Sequence, residues 1–304
     1  MNKRKLMLVA LSLCMVAILA MGSTLAYLTD TDNRINTFTV GKVDIEQNEK
    51  DRNGNEFKDQ KIYPVVDDEG AGDDGYHHGK NYVDKIVTVT VDEDSEPAYV
   101  RTYIAIPADL DDGPETFDAG ANILHWNGAS ANDKKDAYNT GTVGDNDWYW
   151  TPSFGDDWPN DTEWNGYQMT IGEGETAIRY NVYVATHKSI VANGATTAPS
   201  LMGVYLDRKV NCDANGKYFY IDEDTKERVD INFDLSGDIE VLVATEAVQA
   251  KGFDELGRAD AAIYALDSAF GYVGDHCPFG GKDLDPYDAT EAATDAAKAA
   301  KKAQ

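Results

Sequence analysis

The stretch AIRYNVYVA at residues 177–185 decides the fold class. Its apolar residues recur at every second position, and the residues that share this predicted face are Ile178, Tyr180, Val182 and Val184. Arg179 and Asn181 fall between them, on the opposite face. A period of two is typical of a strand that packs one face on a core and exposes the other to water. The run therefore predicts an antiparallel β-strand with one wet side.

Runs of the same kind recur along the chain. They consist of alternating or β-branched residues and lie at 36–46, 85–91, 98–107, 167–171, 201–210, 217–222, 228–233 and 238–247. Asn215-Gly216 lies between the runs at 201–210 and 217–222 and predicts a hairpin turn. Many short strands of this type predict an all-β fold, an antiparallel β-sandwich.

Two segments depart from the strand pattern. Between residues 254 and 270 the apolar residues have helical spacing, and they are Leu256, Ala259, Ile263, Leu266 and Phe270. This spacing predicts a helix that covers the sandwich and ends at Gly271. The tail at 288–304 is rich in alanine and lacks large apolar residues, so we expect a marginal, solvated helix there.

Composition excludes one large class of partners. The chain has 304 residues, of which 42% are hydrophobic, and this fraction excludes wholesale disorder. It has 54 acidic and 27 basic residues, giving a net charge of −27. Such a charge repels nucleic-acid phosphates and anionic lipids, and it attracts cations and basic partners. We therefore expect no nucleic-acid binding.

The amino terminus has the pattern of a secretory signal peptide. The basic residues 3–5 precede an apolar run at 6–21, and Thr24-Leu25-Ala26 has the small-residue pattern of a cleavage site. We expect cleavage between Ala26 and Tyr27, which leaves a folded domain at 27–287 and the tail. An uncleaved anchor is the alternative, because residues 6–25 could just span a bilayer. The predicted location is secreted, in an extracellular matrix or at the cell surface, with membrane contact only during export.

Six short blocks, in order along the chain, suggest a family. They are AYLTDTD at 26–32, NTFTVGKVDI at 36–45, EPAYVR at 96–101, WYW at 148–150, GEGET at 172–176 and VLVATEAVQAKGF at 241–253. Together they resemble the TasA and camelysin family of secreted bacterial matrix proteins, which use the dedicated signal peptidase SipW. The first two blocks are the most specific.

The resemblance implies a jelly-roll fold and self-association into the fibres of a biofilm matrix, in company with other matrix proteins. In such fibres the amino-terminal strand of one subunit completes the sheet of the next. This chain departs from the family in an acidic, tryptophan-rich insertion at about 108–166 and in its alanine-rich tail. These departures bear on fibre geometry and partners more than on the fold.

The first strand run has the character of a donor strand. Its alternating apolar residues are Phe38, Val40, Val43 and Ile45. The run follows the signal peptide directly and precedes a long polar stretch at 47–61, so it could add to the open sheet edge of a neighbour. The alternative is that the strand pairs within its own subunit and gives a self-complemented monomer.

A candidate calcium site follows this run. Asp51, Asn53 and Asn55 space oxygen ligands roughly as a calcium loop does. An EF-hand loop would have glycine at position 56 and glutamate at position 62. This chain has Glu56 and Ile62 there, so the spacing does not match. We expect no cofactor, with Ca²⁺ as the alternative, and we interpret these residues as a solvated turn.

The tryptophans offer a second class of function. All five lie within 39 residues, and they are Trp126, Trp148, Trp150, Trp158 and Trp164. Flat aromatic faces beside acidic groups could bind a glycan or a host protein, which would make the chain a monomeric surface-binding module. The other interpretation is an apolar cluster that holds the insertion against the sandwich.

Enzymatic motifs are missing from the sequence. It contains no His-Glu-x-x-His, no Gly-x-Ser-x-Gly and no phosphate-binding Gly-x-x-x-x-Gly-Lys. The adjacent His77 and His78 suit at most weak surface metal binding. We predict that the protein is not an enzyme, with a metal-dependent hydrolase as the remaining alternative. Cys212 and Cys277 could form one disulfide or remain two buried free thiols.

Overall fold

The computed structural model describes residues 43–58, 61–66, 80–111, 123–126, 147–151, 167–174, 177–222, 225–233, 235, 239–279 and 285–286. This part of the chain is mostly β-structure in antiparallel sheets, with one α-helix. The predicted all-β class is confirmed. The predicted signal peptide at 1–26 and tail helix at 288–304 lie outside the described residues.

The described strands form three sheets. The elements are β1 (Ile45–Lys50), β2 (Val83–Val91), β3 (Ala98–Pro107), β4 (Leu124–Trp126), β5 (Trp148–Thr151), β6 (Tyr167–Ile171), β7 (Ile178–His187), β8 (Leu201–Leu206), β9 (Asn211–Cys212), β10 (Tyr218–Ile221), β11 (Arg228–Asp230), β12 (Leu242–Gln249), α1 (Ala261–Phe270) and β13 (Asp285–Pro286). A four-stranded sheet has the order β1-β2-β8-β4, and a six-stranded sheet has the order β12-β3-β7-β6-β13, with β5 also paired to β7. The third sheet is small and has the order β11-β10-β9.

One apolar core connects the two larger sheets. Val87 and Val204 of the four-stranded sheet lie in the same buried cluster as Ile104 and Tyr183 of the six-stranded sheet. Successive side chains of a strand point to opposite faces. Each of the two sheets therefore contributes one face to the shared core and keeps its second face for other contacts.

Strand β7 shows the predicted alternation but not the predicted wet side. Tyr180 lies on one face, in a buried cluster with Cys277, while Tyr183 on the other face lies in the shared core. Asn181, predicted to face water, is also buried. The prediction of a wet face is wrong because one face of β7 packs towards the other sheet and the segment at 273–279 covers the second.

The predicted runs at 98–107 and 167–171 coincide with β3 and β6. The run predicted at 36–46 ends too early, because β1 continues through polar residues to Lys50. These polar residues remain extended because each pairs with a residue of β2. Residues 36–42 lie outside the described part.

The helix is shorter than predicted. It begins at Ala261, after a single 3-10 turn at Asp254–Leu256 and a left-handed Gly257 with φ +62°. Leu256 is consequently 51% exposed instead of lying on the apolar face. The helix packs on β3 and β12 with Leu266 and Phe270 of its predicted apolar face, whereas Ala259 precedes the helix and is exposed. Gly271, with φ +93°, ends it.

The Asn215-Gly216 turn is confirmed. Gly216 has φ +82°, and its N–H donates to the carbonyl of Asp213 at 3.0 Å. The turn joins β9 to β10 and not, as predicted, a strand over 201–210 to the next one. The reason is that β8 ends at Leu206 and pairs with β2 and β4 in the four-stranded sheet.

Candidate functional site

The described residues of the candidate donor strand are buried within their own chain. Val43 is 1% exposed and Ile45 is 6% exposed. Both belong to an apolar cluster, called here the edge cluster, whose other buried members come from β2, β3, β12 and the segment before β8. Those members are Val89, Val91, Ala98, Val100, Val191 and Ala247. Phe38 and Val40 lie outside the described residues.

The backbone of this segment pairs with its own sheet. β1 runs antiparallel to β2 from the pair Ile45 and Val91 to the pair Lys50 and Ile86. Just before the strand, the N–H of Asp44 donates to the hydroxyl of Ser95 at 2.9 Å. β1 is the first strand in the order of the four-stranded sheet and therefore an edge strand among the described strands. The single chain thus has the self-complemented arrangement over this segment.

A side-chain contact connects β1 to the edge of the other large sheet. The hydroxyl of Thr245 on β12 donates to Oε1 of Gln47 at 2.8 Å. Ala247, two residues further along β12, belongs to the edge cluster. β12 is the terminal strand of the six-stranded sheet. The amino-terminal strand therefore lies where the edges of two sheets come together.

Two ion pairs connect the carboxyl end of β1 and the turn after it to β2. Two guanidinium nitrogens of Arg52 donate to the two carboxylate oxygens of Asp84 at 2.7 and 2.8 Å. Lys85 pairs with Glu49, and its ammonium also lies 4.4 Å from the centre of the Phe57 ring. A bidentate pair of this kind fixes geometry as well as adding energy, because both partners are planar.

The candidate calcium residues form a turn. Oδ1 of Asp51 accepts the backbone N–H groups of Asn53 and Asn55 at 2.8 and 2.9 Å. Its Oδ2 accepts the side-chain amide of Asn55 at 2.9 Å. The side-chain bond from Asn55 is the main reason that the pKa of Asp51 lies below its ordinary value. These contacts support the turn interpretation, and the described ranges hold no group of three or more His, Cys, Asp or Glu side chains suited to a metal.

Three of the five tryptophans are core residues. Trp126, Trp148 and Trp150 are buried in the shared core. The rings of Trp126 and Trp150 are tilted at a centroid distance of 5.7 Å. These positions support the interpretation that the tryptophans hold the insertion on the sheets, since buried ring faces cannot serve as a surface platform. Trp158 and Trp164 lie outside the described part.

The histidines and cysteines are dispersed. His77 and His78 are outside the described residues. His125 is buried with its Nε2 2.8 Å from Oδ2 of Asp207. Burial would raise the pKa of Asp207, but the bond to His125 holds that pKa below its ordinary value. Both described cysteines are free, but the alternative of two buried thiols holds only for Cys277, because Cys212 is exposed.

The structure reveals a buried charge cluster that sequence reasoning missed. Arg101 on β3 lies opposite Glu246 on β12, and two of its nitrogens donate to Oε2 of that carboxylate at 3.1 and 2.7 Å. A third nitrogen donates to Oδ1 of Asp267 on α1 at 2.8 Å. On the far side, Nε2 of His276 lies 2.7 Å from Oε1 of Glu246. We call Arg101, Glu246, Asp267 and His276 the charge cluster.

The electrostatics of the charge cluster are set by burial and by this sharing of one guanidinium. Burial would raise the pKa of Glu246, but His276 and Arg101 hold it below its ordinary value. Burial raises the pKa of Asp267 in spite of Arg101, and Glu246 adds to the increase. The sequence signal was a single charged residue in each of two otherwise apolar strands, AYVRTYIAIP and LVATEAVQ.

No family model matches the chain, and no curated protein matches it. The processing site predicted at Ala26 and Tyr27 lies outside the described residues. A search of the described residues finds no helix long and apolar enough to cross a membrane.

Proposed function

We propose that this protein is a secreted structural protein, a subunit or accessory of extracellular biofilm-matrix fibres, that assembles by exchange of its amino-terminal strand. The proposed fold is a jelly-roll-like β-sandwich, supported by two antiparallel sheets that share one apolar core. The sequence blocks that resemble the TasA and camelysin family support the same assignment. The proposal gives the protein no catalytic role.

The observation that carries the proposal is the placement of Val43 and Ile45 in the edge cluster. Ile45 opens the first described strand, at a sheet edge, and Val43 lies two residues before it. Both belong to a cluster with residues of three other strands. An edge strand near a chain terminus can leave its own sheet without unthreading any other element. The equivalent residues of a second copy would make the same contacts, as in domain swapping.

The self-paired and the strand-exchanged arrangements have similar interaction free energies, because strand exchange conserves the contacts. Burying a valine or isoleucine side chain contributes roughly 1.5 to 3 kcal/mol relative to exposure. Val43 and Ile45 contribute this burial energy in either arrangement. Subunit concentration and the chain between β1 and β2 therefore decide which arrangement is populated. Fibres should therefore form above a threshold concentration and dissolve slowly on dilution.

A cysteine pair can distinguish the two arrangements directly. Asn48 on β1 and Thr88 on β2 are register partners and partly buried. Opposite residues of antiparallel strands have Cα atoms about 4.5 to 5.5 Å apart, which a disulfide can span. We would introduce Asn48→Cys with Thr88→Cys in the mature chain, with the exposed Cys212 changed to serine.

Fibres of this variant would be grown under reduction, oxidised, dissolved in denaturant and run on a non-reducing gel. Strand exchange predicts a ladder of disulfide-linked oligomers, since every bond joins two chains. Each single-cysteine variant is the matched control and should give at most dimers. A monomer band with a complete intrachain bond from intact fibres would overturn the exchange mechanism.

A further inference from the structure

The charge cluster has an unequal balance of buried charge. One guanidinium, from Arg101, serves two carboxylates, from Glu246 and Asp267. With a neutral His276 ring the cluster therefore carries one excess negative charge. The Arg101 and Glu246 side chains are almost completely buried, at 1% and 0% exposure. An uncompensated charge in such surroundings is unfavourable, because burial removes its hydration.

The cluster also connects three separate parts of the fold. Arg101 and Glu246 lie on the paired strands β3 and β12, Asp267 lies on α1, and His276 lies in the segment that follows α1. The groups that face His276 and Asp267 in the described part are Glu246 on β12 together with Arg101 and Tyr103 on β3. Apart from these charges, α1 is held by an apolar cluster of Tyr99, Val248, Ala250, Ala262, Ala265 and Leu266.

We propose that the charge cluster is a pH-sensitive clamp, which takes up one proton as the pH falls and then holds α1 and the segment at 272–277 more tightly on β3 and β12. A proton on the Asp267 carboxyl neutralises the excess charge and leaves Arg101 paired with Glu246. The His276 side chain, beside Glu246, is 36% exposed. The clamp does not depend on the proposed fibre function.

The direction of the pH dependence follows from linkage. The pKa of Asp267 is raised in the folded protein. Its protonated form therefore stabilises the fold at low pH, and that contribution is lost as the pH rises through the folded value. The pKa of Glu246 is lowered, so its contribution is present at higher pH and is lost as the pH falls through its folded value. The window of greatest stability therefore lies between the lowered pKa of Glu246 and the raised pKa of Asp267.

The test is denaturant unfolding of the mature full-length chain between pH 4.5 and 8. Uptake of one proton changes the unfolding constant by up to tenfold per pH unit. Asp267→Asn keeps an oxygen acceptor for Arg101 but removes the excess charge. The contribution of the charge cluster to the pH dependence of the unfolding free energy should therefore disappear. Asp260→Asn is the matched control, since Asp260 pairs with the exposed Arg258 at the start of α1 and should keep the wild-type slope.

Equal slopes for wild type and Asp267→Asn would overturn the clamp. If the Asp267 variant does not fold, hydrogen exchange of the wild-type chain gives the answer. After correction for intrinsic rates, the amides of α1 should exchange up to tenfold more slowly at pH 5.5 than at pH 7.5, relative to those of β7. An unchanged ratio between α1 and β7 would contradict the proposal.

Discussion

The two ends of β1 are held by different physical means. At its beginning, Val43 and Ile45 are buried among aliphatic side chains of the edge cluster. At its end, Arg52 forms a bidentate ion pair with Asp84. Apolar burial is large in energy and does not depend on direction, whereas a bidentate ion pair is modest in energy and strict in geometry. The first end therefore provides most of the affinity of the strand for its sheet, and the second end specifies its register.

The difference has a consequence for assembly. In the proposed strand exchange, the apolar cluster would accept any chain that brings residues of similar size, so the register of the incoming strand would be selected by the charged end. The pairs of Arg52 with Asp84 and of Glu49 with Lys85 both join β1, or the turn after it, to β2. A slip of one residue would separate both pairs and would also turn the apolar residues to the other face.

The largest expected effect comes from breaking the apolar end. Ile45→Asp should lower the free energy of unfolding by about 4 kcal/mol or more, because it removes apolar burial and places a charge in an apolar cluster. Urea unfolding of dilute mature protein measures the change. Glu46→Ala, at an exposed neighbouring position of β1, is the control and should stay within about 0.5 kcal/mol of wild type. Wild-type stability of the Ile45 variant would mean that this residue is not buried in solution.

Breaking the charged end should have a smaller effect. Asp84→Ala removes both acceptors of the Arg52 guanidinium, and we expect a loss of about 1 kcal/mol because the pair is partly exposed. A double-mutant cycle with Arg52→Ala isolates the coupling of the pair. A coupling energy of zero would remove the proposed role in register.

The smallest effect on stability is expected for Lys85→Met. The substitution keeps an apolar stem beside Phe57 and deletes the ion pair with Glu49, so the change should be within about 1 kcal/mol. The destabilisation caused by Lys85→Met should decrease with added salt, since salt screens partly exposed charges. Thermal unfolding at low and high NaCl concentration measures it, and salt-independent destabilisation would contradict an electrostatic contribution.

The turn after the charged end offers a comparison of ions. If Asp51 accepts N–H groups and not a metal, calcium and sodium at equal ionic strength should shift the melting temperature equally. Asp51→Ala should then lower the melting temperature by the same amount in both salts. A calcium-specific increase that Asp51→Ala abolishes would instead establish the metal site at Asp51, Asn53 and Asn55.

Sequence alone predicted those parts of the fold in which local pattern and tertiary pairing agree. β6 alternates strictly and β3 is a largely continuous apolar run, and the predicted limits of both coincide with the structure. The predicted limits of β1 are wrong because IEQNEK has no apolar alternation after its first residue, so its extended form depends on pairing with β2. The predicted start of α1 is too early, because a positive φ at Gly257 interrupts the helical spacing.

The charge cluster lay beyond prediction for another reason. Arg101 and Glu246 are 145 residues apart in sequence and meet only through the register of β3 with β12. No local pattern specifies that register. A charged residue isolated within an apolar strand indicates only that a buried partner is needed. The apolar anchors Val43 and Ile45, in contrast, could be identified from alternation, although the partner they contact could not.

The arrangement of β5 and β6 along β7 bears on how this protein can change in evolution. Both strands pair with the same side of β7, β5 from Val184 to His187 and β6 from Ile178 to Val182. The connection at 152–166 therefore starts and ends on fixed neighbouring positions of one strand. Closing a connection of twice the length costs only about 0.6 kcal/mol more. The two fixed ends therefore make this connection a position at which the length of the chain can vary at small entropic cost.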